Sequence, residues 1–174
     1  MVCYCIFCVT QKTGQILEEL SSGNIIPDLT VLQPRIAQRK WVGKTMTEEL
    51  HSYLPGYLFL YTENPLESFL PILRLGGVIR RLGSPEDGYR LHGGDLAFAQ
   101  ALYRSSGVIG TAQAYQEGDR IKLAGGILAD ASGQIVKLDR HRRRAQVEFR
   151  FDETTRRVWV GYDLIEDRLE DQIE

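Results

Sequence analysis

The residues best suited to bind a charged ligand form a basic run. Its members are Lys137, Arg140, His141, Arg142, Arg143 and Arg144. The run falls between two alternating apolar segments, 133–138 and 144–151, which are typical of strands, so we expect it at a hairpin tip where the turn splays the side chains outward. Guanidinium groups in that setting suit contacts to phosphates and base edges. The run therefore predicts a nucleic-acid-binding surface. The alternative is a solvated turn paired with the acidic residues at the end of the chain.

Three cysteines, Cys3, Cys5 and Cys8, lie close together near the N-terminus. An odd number does not describe a disulfide framework, and the histidines of the chain show no ligand spacing relative to the cysteines. The stretch from Cys3 to Val9 is otherwise apolar, so we expect a buried core strand. A metal site, or an enzyme that uses these thiols, is the alternative. The enzyme would need a lowered thiol pKa.

No other group of residues indicates catalysis. The glycine pairs at 76–77 and 93–94 lack the spacing of a phosphate-binding loop, and no Ser/His/Asp grouping occurs at motif spacing. We therefore expect a protein that is not an enzyme and holds no cofactor or metal.

Composition and charge limit the class of protein further. The 174 residues are enough for one domain or two small ones. No apolar run of about 18 residues occurs, so no membrane span is expected, and the N-terminus lacks a signal-peptide pattern. We expect a cytoplasmic monomer. Charge is uneven along the chain, because residues 137–157 hold eight Lys/Arg against four Asp/Glu, whereas residues 163–174 hold six acidic residues against Arg168.

A short strand, 56–62, is the most informative element of the N-terminal half. It follows a Pro-Gly turn, and its side chains alternate between two faces. Leu58 and Leu60 share one face, which we expect to be core. Tyr57 and Phe59, with Tyr61, share the other. An aromatic face can be a second core beneath helices or a contact surface for a partner.

The remaining elements predict an α+β protein with an antiparallel sheet and flanking helices, followed by a small SH3-like β-barrel. Segments 24–52 and 105–116 are predicted to be irregular. The first is polar and extended, and the second is an apolar linker that packs on its surroundings. The predicted strands are 2–9, 56–62, 78–82, 119–123, 133–138, 144–151 and 157–160. The predicted helices are 11–22, 65–75 and 95–104.

Two motifs in series resemble those of the NusG family of transcription elongation factors. The first is Leu54-Pro55-Gly56-Tyr57-Leu58-Phe59-Leu60, which is similar to the P-G-Y-hydrophobic-F strand of the family's N-terminal (NGN) domain. The second is Glu117-Gly118-Asp119-Arg120-Ile121-Lys122-Leu123, with Gly133-Gln134-Ile135 after it, which is similar to the opening of the family's KOW domain. The resemblance implies an NGN-like domain at 1–104, a linker at 105–116, a KOW domain at 117–165 and an acidic tail at 166–174.

The resemblance also implies a function. Family members grip the clamp helices of RNA polymerase with an apolar patch, onto which Tyr57 and Phe59 map directly and which Tyr4 would extend from the neighbouring strand. The KOW loop that often contacts proteins carries Ile127 in place of an aromatic residue. Together with the basic run, this departure favours nucleic acid, RNA over DNA, and a specialised antiterminator-type paralogue. The alternative is a stand-alone RNA-binding or ribosome-associated KOW protein. The polymerase interpretation requires an aromatic face that is open to solvent.

Overall fold

The computed structural model describes residues 1–165, which contain three β-sheets and four α-helices. The helices are α1 Thr13–Ser21, α2 Leu70–Leu73, α3 Gly93–Arg104 and α4 Ile127–Asp130. The strands are β1 Val2–Cys8, β2 Thr30–Leu32, β3 Arg35–Val42, β4 Thr45–Ser52, β5 Tyr57–Thr62, β6 Val78–Arg81, β7 Val108–Ile109, β8 Ala112–Glu117, β9 Arg120–Gly125, β10 Gln134–Asp139, β11 Arg144–Phe151 and β12 Thr154–Leu164. The predicted acidic tail, 166–174, lies outside the described residues.

A four-stranded antiparallel sheet in the order β2-β5-β1-β6, called here the N-terminal sheet, organises the first half. All six residues of β5 are buried, because both faces of the sheet are covered. Leu58 and Leu60 pack in a core with α1 and α2. Tyr57, Phe59 and Tyr61 pack in a second core with α3 and residues of the second half. The predicted alternation of this strand is therefore confirmed.

The Pro-Gly turn that starts β5 is a type II turn. The Tyr57 N–H donates to the Leu54 carbonyl at 3.1 Å, and Gly56 has a φ of 89°, the left-handed value that such a turn requires at its third residue. A Cβ at Gly56 would lie 2.7 Å from the carbonyl oxygen of Cys8. The turn thus needs glycine both for its backbone angle and for the close approach of β1.

Segment 24–52, predicted as extended and polar, contains regular structure that the prediction missed. After β2, an antiparallel hairpin of β3 and β4 turns through Gly43 and Lys44. Gly43 has a φ of 64°, which suits a two-residue hairpin connection. β3 also pairs in parallel with β7, so β4, β3 and β7 form a second sheet.

The predicted helix 65–75 is too long, because only Leu70–Leu73 is helical. Pro71 explains the difference. Proline has no N–H to donate, and in a continuous helix its ring would clash with the carbonyl four residues earlier. Leu66 and Phe69 still pack into the core that faces α1.

The second half forms a five-stranded sheet in the order β10-β11-β12-β8-β9, called here the C-terminal sheet. Its pairings are antiparallel, apart from a parallel pairing between β12 and β8 that places Tyr162 opposite Ala112. β8, apart from Glu117, lies within the stretch 105–116 that was predicted as a linker, and α4 occupies the loop that carries Ile127. The α+β class is confirmed.

The N-terminal half, residues 1–104, and the C-terminal half, residues 105–165, share one apolar core. Phe98 of α3 stacks on Phe149 of β11 with ring centroids 5.4 Å apart, and it contacts Phe151 at the same separation. Aromatic pairs at such distances stabilise beyond the area that they bury. In residues 1–165, no helix has the length and apolarity that a membrane span requires.

Candidate partner and nucleic-acid interfaces

The basic run lies at a hairpin tip, where the sequence predicts it. Asp139 of β10 pairs with Arg144 of β11, and the four residues 140–143 form the turn between them, which we call the basic turn. All four are exposed, and Lys137 on β10 is exposed as well. The turn is held by its own backbone and by Asp139, whose Oδ1 accepts from the Arg142 N–H at 3.0 Å.

Nearby groups set the electrostatics of the basic turn. The backbone N–H of Arg142, followed by the side chain of Arg144, lowers the pKa of the Asp139 carboxyl, so it stays ionised. Arg140 donates to the Asp119 carbonyl at 3.1 Å. Arg144 lies over the ring of Trp159 at 5.4 Å from the centroid, a cation–π arrangement. The arginines are therefore positioned at the turn, with guanidinium charge facing solvent.

The aromatic face of β5 is covered in this structure, so the expectation of an open face is wrong for this state. Tyr57 is 6% exposed and Phe59 is 0% exposed. Phe151, at the end of β11, packs on both rings, with centroid separations of 5.3 Å to Tyr57 and 5.4 Å to Phe59. Phe98 of α3 covers the rest of Phe59 at 5.7 Å. The cover thus comes from α3 and from the C-terminal sheet together.

Tyr4 does not extend the aromatic face. It pairs with Leu60 in the β1–β5 register, and paired residues of neighbouring strands point to the same side of a sheet. Its ring lies in the core with α1 and α2, 5.2 Å from Phe69, and its hydroxyl accepts from the Leu66 N–H at 2.9 Å. Tyr4 is therefore a core residue on the opposite face from Tyr57.

Asp152, in the turn between β11 and β12, makes the densest set of polar contacts between the two halves. Its Oδ2 accepts from the Tyr57 hydroxyl at 2.7 Å, and its Oδ1 accepts from Arg80 at 3.2 Å. Its own N–H donates to the carboxylate of Asp95 at 3.2 Å. Arg156 donates to the Tyr57 hydroxyl from the other side at 3.1 Å. We call these five residues the Asp152 cluster.

Burial shifts the titration of two members of the cluster. Loss of solvent around Tyr57, followed by its hydrogen bond to Asp152, raises the pKa of that hydroxyl, so it stays protonated and can donate. Loss of solvent also raises the pKa of the Asp95 carboxyl, although the N–H of Asp152 acts in the opposite direction. The Asp152 cluster is thus a partly buried network of polar groups at the edge of the aromatic core.

Two further ion pairs connect the halves at other points. Arg39 of β3 and Asp163 of β12 form a two-pronged contact with N–O distances of 3.3 and 3.2 Å. Arg104, at the end of α3, contacts Asp130 of α4 at 2.7 Å. These side chains are partly solvated, so each pair contributes little alone and weakens in salt.

The cysteines lie in β1, as predicted for a core strand. All three are free and buried. Burial raises the pKa of Cys8 to about 11, and it raises those of Cys3 and Cys5 too. A thiol of this kind is a weak nucleophile. In residues 1–165 no group of three or more His, Cys, Asp and Glu side chains could hold a metal.

A groove of about 740 Å³ runs between the β3–β4 hairpin and the basic turn. Arg39, Lys40 and Trp41 line one wall, and residues 140–144 with Trp159 line the other. Trp41 is 65% exposed, although it pairs across the hairpin with Met46. Neither Trp41 nor Trp159 belongs to a sequence pattern that indicates a function.

Comparison with known proteins gives a match at the level of the fold. The chain is similar to a solved structure described as "Domain interaction in Thermotoga maritima NusG", with 16% sequence identity, 92% of this chain and 93% of that chain covered, and a TM-score of 0.55. The fold is NusG-like. No family model matches the sequence, and no curated protein matches it.

The sequence carries a clear signal for β11 but none for the contact between Asp95 and Asp152. Residues Ala145, Val147, Phe149 and Phe151 alternate as a buried face, a pattern visible in the sequence. Asp152 follows that strand directly, and Asp95 lies in the first turn of α3. Nothing in their spacing shows that the two halves bring them together, because that pairing depends on tertiary docking between residues 57 positions apart.

Proposed function

We propose that this protein is a NusG-like transcription elongation or antitermination factor. Residues 1–104, an NGN-like domain, bind the clamp helices of RNA polymerase through Tyr57 and Phe59. Residues 117–165, a KOW domain built as an SH3-like barrel, bind nucleic acid, RNA in preference to DNA, through Lys137 and the basic turn. The factor acts as a cytoplasmic monomer, without catalysis and without a cofactor. The observation that carries the proposal is a NusG-like fold over 92% of the chain.

The geometry supports both surfaces chemically. A continuous apolar face with two aromatic anchors suits an amphipathic helix pair. Exposed arginines on a hairpin tip suit phosphate and base contacts. Binding to the clamp would favour the elongating state over the paused state, because a ligand shifts a conformational equilibrium by its differential affinity for the two states. The specialised antiterminator role fits the basic turn and the replacement of a loop aromatic by Ile127.

Polymerase binding requires that the C-terminal sheet leave the aromatic face. The part of the cover that the C-terminal sheet supplies is the end of the β11–β12 hairpin, Phe151 with Asp152, whereas Phe98 of α3 supplies the rest. Partly solvated ion pairs flank this contact. The ion pairs weaken in salt, and polymerase contacts would replace the ring contacts of Phe151. The bound state would therefore be reached by separation of the halves, and the apparent affinity would scale with the fraction of open molecules.

The experiment for polymerase binding uses the full chain and purified bacterial RNA polymerase. We expect Asp152→Asn to bind more tightly than the unmodified protein, because it removes the charge that holds Arg80 and Tyr57 to the closed arrangement. In the Asp152→Asn background, Tyr57→Ala with Phe59→Ala should abolish binding. Circular dichroism must show that the triple variant is folded.

Leu70→Ala is the matched control, since Leu70 is an apolar side chain, 58% exposed, on α2 at the opposite face of the sheet. It should leave binding unchanged. The polymerase assignment is wrong if neither the unmodified chain nor Asp152→Asn binds, or if the folded triple variant binds as well as Asp152→Asn.

The experiment for nucleic acid measures affinity for an RNA oligonucleotide against salt concentration. If about four side chains touch phosphate, log affinity should fall with log salt with a slope of about −3. Arg140→Ala with Arg142→Ala should reduce that slope by about 1.4. A flat salt dependence would contradict phosphate contacts at the basic turn.

Burial of the aromatic face favours a second candidate, an RNA-binding protein that makes no polymerase contact. In that case the packing of Phe151 on Phe59 is permanent core. This candidate predicts that the unmodified chain binds RNA with the same salt slope, about −3, as the first candidate does. It also predicts that no variant binds polymerase. The two experiments above separate the candidates.

A further inference from the structure

We propose that the groove between the β3–β4 hairpin and the basic turn is a binding site for single-stranded nucleic acid, with half of the site supplied by the N-terminal half of the chain. The inference rests on the proposed nucleic-acid binding of the basic turn and extends it. It assigns a role to the hairpin and to both tryptophans.

The charge of the groove is complementary to a phosphate backbone. Six basic side chains line it: Arg39, Lys40, Arg140, Arg142, Arg143 and Arg144. Among the described residues, no aspartate or glutamate lines it. Two carboxylates beside it, Asp163 and Asp139, pair with Arg39 and Arg144. Among the described residues the lining of the groove is therefore basic, and an anion between its two walls would meet cations from both sides.

The two tryptophans supply what a charged groove alone lacks. Trp41 and Trp159 are the only two tryptophans of the chain, and both line the groove. Trp41 presents an exposed indole on β3, and Trp159 is half-buried on β12 beneath the guanidinium of Arg144. A base of any identity can stack on such rings. Proteins that bind single strands combine this stacking with a basic groove that follows the phosphate backbone. Bases in a duplex are already stacked and cannot use Trp41 in this way.

The site is composite because its two walls come from distant parts of the chain. The hairpin wall is fixed to β12 by the contact between Arg39 and Asp163 at 3.2 Å. The opposite wall is fixed to the same strand, since the Tyr162 N–H donates to the Arg143 carbonyl at 3.0 Å. Both walls therefore depend on β12, and the groove exists only while the two halves are docked.

The test uses the full chain and a 12-nucleotide single strand as probe, supplied as RNA and as DNA of one sequence and as the RNA duplex. Intrinsic fluorescence reports directly on the site, because both tryptophans lie in it. We expect either single strand to quench the fluorescence and the duplex to bind more weakly. The preferred single strand identifies the nucleic acid. Equal binding of the duplex, or binding without quenching, would overturn the stacking assignment.

Two matched pairs of variants test the hairpin wall. Trp41→Ala should weaken single-strand binding at least about fivefold, whereas Trp41→Phe should retain most of it. Val42→Ala changes a neighbouring apolar residue, 57% exposed, outside the groove, and should have no effect. Lys40→Ala should reduce the salt slope by about 0.7, whereas Lys44→Ala in the hairpin turn should not.

Failure of this inference differs from failure of the proposed function. If Arg140→Ala with Arg142→Ala weakens binding while Trp41→Ala behaves like Val42→Ala and Lys40→Ala like Lys44→Ala, then the composite groove is wrong and the basic turn alone binds. If the unmodified chain binds no single strand, then both the composite groove and the proposed nucleic-acid binding of the basic turn are wrong.

Discussion

Asp152 places a carboxylate where Arg80, Arg156 and the Tyr57 hydroxyl converge. Its φ of 53°, followed by 58° at Glu153, makes the connection a hairpin turn in which both central residues are left-handed. Asparagine and aspartate tolerate that backbone better than most residues. Asp152→Asn therefore removes the charge without straining the turn.

We expect Asp152→Asn to lower the free energy of unfolding by about 1–2 kcal/mol, because Arg80 and the Tyr57 hydroxyl lose a partly buried anionic partner. Chemical denaturation measures this. Glu153→Gln is the matched control, since it neutralises an exposed carboxylate in the same turn, and it should change stability by less than about 0.5 kcal/mol. An equal effect of the two variants would show that the Asp152 carboxylate makes no specific stabilising contact.

Asp95 gives the protein a stability that depends on pH. Its carboxyl has a raised pKa in the folded state, mainly through loss of solvent. A raised acid pKa means that the folded form favours the protonated acid, so the contribution of Asp95 to stability falls as pH rises above about 3.8, the unfolded value. Asp95→Asn cannot ionise, yet its side-chain oxygen can accept from the Asp152 N–H. We expect the variant to be more stable than the unmodified protein at pH 7.

The difference in stability between Asp95→Asn and the unmodified protein should shrink as pH falls and vanish below about pH 3.8. Unfolding midpoints measured across this range test the sign. A variant that is less stable at pH 7 would mean that the ionised carboxylate stabilises the start of α3 more than burial penalises it.

At the level of elements, the turn before β5 requires glycine at position 56. Gly56→Ala should cost about 1–3 kcal/mol, because alanine resists a φ of 89° and its Cβ would meet the Cys8 carbonyl at 2.7 Å. Gly14→Ala is the contrast. Gly14 lies in α1 with nothing within 4 Å of the added Cβ, so alanine there should stabilise by about 0.5–1 kcal/mol. Thermal melts of the two variants should therefore move in opposite directions.

The elements also show why sequence reasoning succeeded in some places and not in others. β5 and β11 carry strong period-two patterns and local turn signals, and local physics was enough to place them. The hairpin of β3 and β4 was missed because both strands are largely exposed, so their residues do not alternate in polarity. The helix predicted from residue 65 overlooked Pro71, whose effect on a helix is local and could have been read from the sequence.

The candidate sites also differ in whether local sequence is enough to predict them. A run of arginines between two strands needs only local structure to become a hairpin tip. The covering of Tyr57 by Phe151 and the meeting of Trp41 with the basic turn are set by docking of the halves. Tyr4 was misplaced because one step in register moves a side chain to the other face of a sheet, and its partner, Leu60, is fixed by the pairing of β1 with β5.

At the scale of the whole molecule, two proposed surfaces require opposite arrangements of the same halves. The groove with Trp41 and Trp159 exists only when the C-terminal sheet is docked. Tyr57 and Phe59 become reachable only when it leaves. A ligand of one arrangement must therefore lower the apparent affinity for a ligand of the other, and the effect must be equal in both directions.

We therefore expect a saturating single-stranded oligonucleotide to weaken binding of an isolated clamp-helix fragment of RNA polymerase at least about fivefold. The fragment should weaken oligonucleotide binding by the same factor, because the coupling free energy is shared. Titration of a fluorescently labelled fragment with and without oligonucleotide measures it. Trp41→Ala should abolish the effect of the oligonucleotide while leaving fragment binding intact, since Trp41 lies outside the aromatic face. Independent binding of the two ligands to the unmodified protein would show that the halves need not separate for the clamp helices to bind.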